Sequence, residues 1–575
     1  DDRGASWEVI SDDITTGLSR DTWPVMDQYW SVDALDKNVS TSLYGTAVSL
    51  AESPLDEQLI FVGTDDGLVH ISQDMGASWS KINSFPNVPE FTYVSDILPS
   101  KYDKNVVFVT FDNIKHNDFK PYILKSEDLG ISWSNISNDL PENGTVHTIE
   151  QDFVNADLLF AGTEFGVYFS ANGGNQWIQL KSGIPTISVK DIAIQERECD
   201  LVLASFGRGF YILDNYAPLR EIALATADEN GYLFPVKDPI QFMSKSRGGY
   251  GFGSMPYYSA NREYGAIFTY YLKDIPKTKN QLRKEKEKEL FKNKERIPIP
   301  TPAELEEEKK EVKPYLEFSI YDEQSQLVRR INNNPSKGIN RISWNLRFPS
   351  VNPVWGSENS FDPLARQSSA MPVMPGKYMV ELKLIASDTV LSIGSRQPFV
   401  VKSLDNVTLP AENKEELLAF QKKAAEIGKV IRGASKQLDE LEEKAYYIKK
   451  TVHQIPEENF ALVKAIDKVI QEISDIKWLF NGEVPKASSE ERIPAQVTIN
   501  DRLGALETVS GRTSSGVTGT QREVYSILEK ELPPVLERLD KLTNKDITEI
   551  EVMLDAIGAP WTPGRVPKWK KDQSN

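Results

Sequence analysis

Eight residues recur along this chain, and their recurrence restricts the fold more than any other feature. SQDMGASW (72–79) and SEDLGISW (126–133) share the frame S-x-D-x-G-x-x-W, SANGGNQW (170–177) repeats it with Asn172 in the aspartate place, and DDRGASW at 1–7 ends in the same way. Aligned on Trp7, Trp79, Trp133 and Trp177, the copies stand roughly 40 to 70 residues apart, the period of four-stranded repeats with loop insertions. Each complete copy follows a strand–turn–strand prelude: LIFVGTDDGLVHIS, VVFVTFDNIKHNDFKPYILKS and LLFAGTEFGVYFS, with LVLASFGRGFYILDN a further prelude that ends before its motif. Short alternating strands joined by Gly and Asp turns predict antiparallel sheets at 45–83, 92–136, 145–180 and 189–214.

The residue types explain the repetition. Ser72, Ser126 and Ser170 with Asp74, Asp128 and Asn172 can hydrogen-bond the backbone of their own turn. Gly76, Gly130 and Gly174 can take positive φ, and the tryptophans Trp79, Trp133 and Trp177 can close the gap between sheets. This frame resembles the Asp-box, or BNR repeat, of sialidases, xyloglucanase-type glycoside hydrolases and sortilin. The resemblance implies a β-propeller in which the boxes lie away from the ligand face. The WEVIS stretch at 7–11 then has two possible places: the fourth strand of the last sheet, closing a small ring, or the end of a sheet whose start lies upstream. The second is preferred, because four-bladed rings are uncommon.

In such a sheet the turns between strands two and three open on the face opposite the boxes. They carry Asp65 and Asp66 (GTDDG), Glu164 (GTEFG), Arg208 (FGRGF) and a long loop with His116, Asp118 and Lys120. Carboxylates with a few cations at one mouth suit a sugar, a peptide terminus or Ca²⁺. Asp65, Asp66 and Glu164 are also the candidate acid and base of a glycoside hydrolase. The same residues favour tight turns for local reasons alone.

Beyond residue 215 the pattern changes. Alternating stretches near 265–274, 314–331, 338–349, 375–384 and 396–402 predict a β-sandwich, interrupted by a charge-dense exposed insertion at 273–313. LVRRI, INRISWNLR and PGKYMVEL resemble the immunoglobulin-like modules at the ends of secreted bacterial enzymes. The Gly- and aromatic-rich 248–261 is expected at a domain junction. From 411 the period becomes helical, with Leu417, Phe420, Ala424, Ile427, Ile431, Leu438 and Leu441 on one stripe, a second helix at 459–480, and one or two more within 520–558 ending at Gly558. The expected domains are a partial Asp-box propeller (1–220), an immunoglobulin-like sandwich (221–405) and an α-helical bundle with an extended tail (406–575), a mainly β fold with α.

Composition excludes several functions. A net charge of −18 disfavours nucleic acid and anionic membrane surfaces. No run is long and apolar enough to span a bilayer. One cysteine, Cys199, and four histidines leave no thiolate or histidine metal cluster, so no metal and no cofactor is expected. Cys199 is expected as a small core residue. With FGRGFYILDNYAPLRE and GAPWTPGRVPKW, nearly the whole chain resembles the carboxy-terminal half of large bacterial BNR/sortilin-like proteins labelled glycosyl hydrolases. Relatives often have histidine before the GRGF turn, where this chain has Phe206. The resemblance implies a secreted, periplasmic or cell-surface protein that binds glycan or peptide, with envelope proteins as further partners. The alternative is hydrolysis by a carboxylate pair at the mouth.

Overall fold

The computed structural model describes residues 4–37, 44–228, 230–243, 261–354, 362–365, 367–387, 389–455, 459–483, 496–510, 514–567 and 569. It divides into two compact units, Asp1–Asp228 and Glu229–Asn575, and is mainly β with several helices. Most of the aromatic-rich 248–261 stretch lies outside the described residues.

The first unit is a series of antiparallel meanders. β1 (Ala47–Ser53), β2 (Asp56–Thr64), β3 (Val69–Ser72) and β4 (Ser80–Ile82) form one sheet. The second holds β5 (Tyr93–Pro99), β6 (Val107–Asp112), β7 (Tyr122–Ser126) and β8 (Ser134–Asn135). β9 (Val146–Gln151), β10 (Leu159–Thr163), β11 (Gly166–Ser170) and β12 (Ile178–Leu180) make the third. The fourth has three strands, β13 (Val189–Gln195), β14 (Asp200–Ser205) and β15 (Gly209–Leu213). First strands are neighbours: β1 packs on β5, β5 on β9 and β9 on β13.

The repeated octapeptide makes this stacking possible. Ser72 Oγ accepts from Gly76 N at 2.7 Å and donates to Asp74 Oδ1 at 2.8 Å, while Ser78 N donates to the same carboxylate oxygen at 2.8 Å. Ser126, Asp128 and Ser132 repeat these contacts. In the third copy Asn172 Oδ1 takes over the acceptor role from Gln176 N at 2.9 Å, so the substitution preserves the turn bonds. It does not keep the hydroxyl-to-carboxylate contact that Ser78 and Ser132 make in the other two. The bonds hold two consecutive residues in the left-handed region: Met75 and Gly76, Leu129 and Gly130, Gly173 and Gly174. The second residue of each pair lies face to face with an isoleucine three places beyond the preceding motif tryptophan. A Cβ on Gly76 would meet Ile10, on Gly130 would meet Ile82 at 2.6 Å, and on Gly174 would meet Ile136. Trp79 and Trp177 complete the joint by donating Nε1 to the Ile10 and Ile136 carbonyls at 3.0 and 2.8 Å. Trp177 is buried; Trp133 is half-buried against Phe85.

Residues 7–11 do not pair with β15, and Ile10 lies against Trp79 and Gly76 of the first sheet. One expectation is corrected here. Cys199 is not a core residue. It takes the left-handed corner of the β13–β14 turn, half-exposed, its N–H bonded to the Glu196 carbonyl.

In the second unit, β16 (Tyr232–Leu233), β18 (Ala266–Leu272) and β21 (Gly338–Trp344) form one sheet. β17 (Ile240–Gln241), β19 (Tyr315–Asp322), β20 (Leu327–Asn333), β24 (Gly376–Ala386) and β25 (Thr389–Ser403) form another. Their shared core is aromatic, with Phe268, Phe318, Trp344, Tyr378 and Phe399 in ring contact. A short pair, β22 (Arg347–Pro349) and β23 (Ser369–Pro372), lies beside β20.

After α1 (Ile222–Ala227) of the first unit, the charged insertion carries two capped helices, α2 (Lys279–Lys292) and α3 (Pro302–Lys310). Arg283 joins them by forking onto Glu308 at 2.6 and 2.9 Å, so the two helices are paired. The C-terminal helices α4 (Lys414–Val452), α5 (Phe460–Asn481), α6 (Ile499–Ser510), α7 (Gly519–Lys541) and α8 (Ile547–Ala556) enclose one apolar core. Ala424, Ile431, Leu438 and Leu441 of the predicted stripe are buried there, and Gly558 ends α8 at positive φ. No helix among the described residues is long and apolar enough to cross a membrane.

Gly130→Ala should destabilise the first unit by about 2 kcal/mol or more, since it adds both a left-handed Cβ and a clash with Ile82. Gly433→Ala, within α4 and with open space at its Cβ, should instead stabilise by up to about 1 kcal/mol. Urea denaturation of the two variants checks the contrast.

Candidate functional site

Every first strand of the first unit carries a one-residue bulge at the same place. Pairing skips Val48 between Ala47 and Ser49, Ser95 between Val94 and Asp96, His147 between Val146 and Thr148, and Lys190 between Val189 and Asp191. A bulged residue is left out of the ladder, and its side chain is re-aimed. Here that places His147 and Lys190 beside the ends of the turns joining second and third strands, whereas Ser95 bonds Thr110 and the Val146 carbonyl between strands.

His147 is the hub. Its buried ring lies with Nδ1 3.3 Å from Asp112 Oδ2, at the end of β6, and Nε2 2.9 Å from Glu164 Oε2, in the β10–β11 turn. Lys190 Nζ is 3.0 Å from the same Nε2 and 3.5 Å from Glu164 Oε2, and Ser188 Oγ donates to that oxygen at 3.0 Å. Nε2 can donate to Glu164 or accept from Lys190, but not both, so the arrangement has two hydrogen-bonded forms. Burial pushes the Asp112 and Glu164 carboxyls up, but hydrogen bonds from His147, joined by Ile114 N at Asp112 and Ser188 at Glu164, outweigh it and hold both below the ordinary carboxylate range. Deeper between first strands, burial raises Asp96 although Thr148 Oγ1 and Ile149 N donate to it at 2.8 and 3.0 Å.

The predicted mouth residues divide into four groups. Glu164 is part of the cluster. Asp65 and Asp66 are not: both are buried and turned into the fold. Asp65 accepts from Gly45 N, Thr46 N and Thr46 Oγ1, and Asp66 from Thr64 Oγ1, Thr16 N and Thr16 Oγ1. These carboxylates hold the segment before β1 in place and are not offered to a ligand, which corrects their expected role. His116, Asp118 and Lys120 occupy the β6–β7 loop. Asp118 is bonded to Tyr122 and Asn113, and His116 Nδ1 lies 2.7 Å from Asn113 Oδ1, so both shape the loop. Lys120 and Arg208 are exposed.

Asp112, His147, Ser188 and Lys190 were missed because a lone histidine or lysine in an alternating strand carries no motif. Self-alignment of the first strands contains the signal: TAVSL, YVSDI, TVHTI and SVKDI place a variable residue after the Ala or Val and an aliphatic two positions later.

No protein-family model matches the sequence, and no curated protein matches it. Among solved structures, a GH74 xyloglucanase from Xanthomonas campestris is similar at 12% identity and TM-score 0.24, over 30% of this chain and 30% of that one. YCF48 from Cyanidioschyzon merolae is similar at 20% identity and TM-score 0.23, over 29% of this chain and 52% of that one. The Cps50 (Swd1) beta-propeller domain of Myceliophteria thermophila follows at 13% identity and TM-score 0.23, over 29% and 51%. The chain thus spans about a third to a half of these proteins. Overlaps so short, at such TM-scores, assign no activity.

The depressed carboxyls give a signed pH effect. A group with lowered folded-state pKa contributes stability that is present above its unfolded pKa and lost as pH falls through the folded value. The stability difference between wild type and Asp112→Asn should therefore be constant above about pH 5 and shrink below about pH 4. Thermal unfolding across pH 3 to 7 measures it.

Proposed function

We propose that the first unit is part of an Asp-box β-propeller that binds a glycan or peptide through the face formed by the strand-two to strand-three turns. The observation that carries this reading is the Asp112–His147–Glu164–Lys190 cluster, assembled from three successive sheets on that face. The two facing sheets of the second unit serve as an immunoglobulin-like sandwich and its C-terminal helices as a bundle, both acting as docking modules on 221–405 and 406–575. Localisation outside the cytoplasm belongs to the same reading and rests on the Asp-box and sandwich resemblances.

The propeller extends past the four sheets. Leu50, two places beyond the bulge of β1, is 75% exposed, whereas its counterparts Ile97, Ile149 and Ile192 are 3%, 2% and 4% exposed because a preceding sheet covers them. On the last sheet Phe210 and Ile212 are exposed, whereas Val167 and Phe169 of β11 are buried. Ile10 holds against the first sheet the place that Ile82 and Ile136 hold against theirs. A further sheet of the same design, with residues 4–11 as its last strand, fits these faces.

Hydrolysis by a carboxylate pair is the weaker reading. Asp65 and Asp66 are committed to the fold, and Asp112 and Glu164 flank a single imidazole.

A glycan and peptide array tests the binding face. Glu164→Gln should lower binding at least tenfold at temperatures well below its melting point, where the loss of its bonds to His147 and Ser188 leaves the first unit folded. Asp66→Asn should act mainly by destabilising the first unit, because it removes the acceptor of Thr16 and Thr64. Binding unchanged by Glu164→Gln would remove the face from the reading, and turnover of an arrayed glycan abolished by that change would favour the hydrolase.

A further inference from the structure

The cluster leaves specific hydrogen-bonding capacity unused. All three partners of Glu164 meet Oε2, and no hydrogen bond to Oε1 occurs among the described residues. The side chain is 35% exposed. Lys190 is 42% exposed, and its ammonium has three donors. An acceptor and a cationic donor thus lie side by side at the surface, fixed in position by a bulge and a turn. An aromatic ring lies beside Lys190. Phe165 follows Glu164 in the turn and is exposed; Phe206 is 73% exposed, its ring 6.0 Å from Lys190 Nζ and its N–H bonded to the Ser188 carbonyl at 2.9 Å.

We infer that Glu164 Oε1, Lys190 Nζ and the Phe206 ring form a subsite for one neutral pyranose carrying adjacent hydroxyls. This rests on the proposed binding face and narrows it from glycan or peptide to uncharged sugar. One hydroxyl donates to Glu164 Oε1 while its neighbour accepts from Lys190, and the C–H face of the ring lies on Phe206. Charge decides between ligand classes. An anionic sugar or peptide carboxylate would meet two carboxylates, Asp112 and Glu164, against the one ammonium of Lys190, whereas an uncharged polyol uses both the acceptor and the donor without that repulsion. The His147 ring gives the subsite tolerance, since Nε2 can keep Glu164 when a ligand draws Lys190 away, or accept from Lys190 when a ligand takes up the carboxylate.

The test is calorimetric titration of the whole chain with neutral gluco-, galacto-, manno- and xylo-oligosaccharides, with uronate-containing oligosaccharides and with short peptides as comparators. Glu164→Gln, Lys190→Met and Phe206→Ala are measured beside wild type. Phe206→Ala is the fold-safe variant, because that side chain is exposed and outside the hydrogen-bond network. The expected result is binding of at least one neutral series, weakened tenfold or more by each variant, at unchanged melting temperature for Phe206→Ala, with a matching loss for a ligand lacking one of the adjacent hydroxyls. Neutral binding indifferent to all three variants overturns the subsite. Binding of peptides or uronates alone, lost in Glu164→Gln, overturns the sugar class while leaving the face in place. No binding of any probe overturns both the subsite and the proposed function.

Discussion

Everything in the first unit depends on one close contact: a left-handed glycine of one sheet against an isoleucine three residues beyond the preceding motif tryptophan. The serine and the aspartate or asparagine of each octapeptide set up that contact by bonding the turn backbone, leaving a Cβ-free surface where the aliphatic side chain and, in two of three copies, its carbonyl can approach. A larger residue at the glycine would separate the sheets, and a serine-free turn would not hold two left-handed residues in succession. The box is therefore a joint. Its position between third and fourth strands leaves the opposite turns free to vary.

That division explains the location of the candidate site. The first strands are packed on one another by the joints at the far end, and each carries a bulge near the turn face. Residues released from the ladder there face neighbours on adjoining sheets, so Asp112, His147, Glu164 and Lys190 come from three sheets yet meet within hydrogen-bonding distance. A polar cluster of this kind is stable only when its members satisfy one another. Glu164 Oε1 and the exposed part of Lys190 are the capacity left for something else.

The strands were legible because alternation and Gly/Asp turns are local signals: the first strands begin within two residues of the predicted sheet starts. The long helices α4 and α5 were equally visible from their apolar stripes. α6 was not, since its apolar stripe is short, Ile499, Leu503 and Leu506 alone among its described side chains being buried in the helical core. At the candidate site, the turn pattern nominated Glu164, which lies in the cluster, together with Asp65 and Asp66, which do not. A GTDDG turn reads the same whether its carboxylates face solvent or cap a preceding segment, and Thr16 and Thr46, which claim them, are distant in sequence or outside any motif. Bulges were invisible for a related reason. A bulge is a property of pairing between two strands, and a single strand's sequence carries it only through comparison with its repeats.

A double-mutant cycle of Gly130→Ala with Ile82→Val, followed by urea unfolding, measures the joint most directly. If the glycine exists to admit the isoleucine, removing Cδ1 of Ile82 relieves part of the added Cβ clash, and the double variant should be more stable than the sum of the singles by at least about 0.5 kcal/mol. Additivity within the error of the cycle would contradict it, leaving the repeated glycine as a requirement of the turn alone and the stacking of the sheets without its proposed cause.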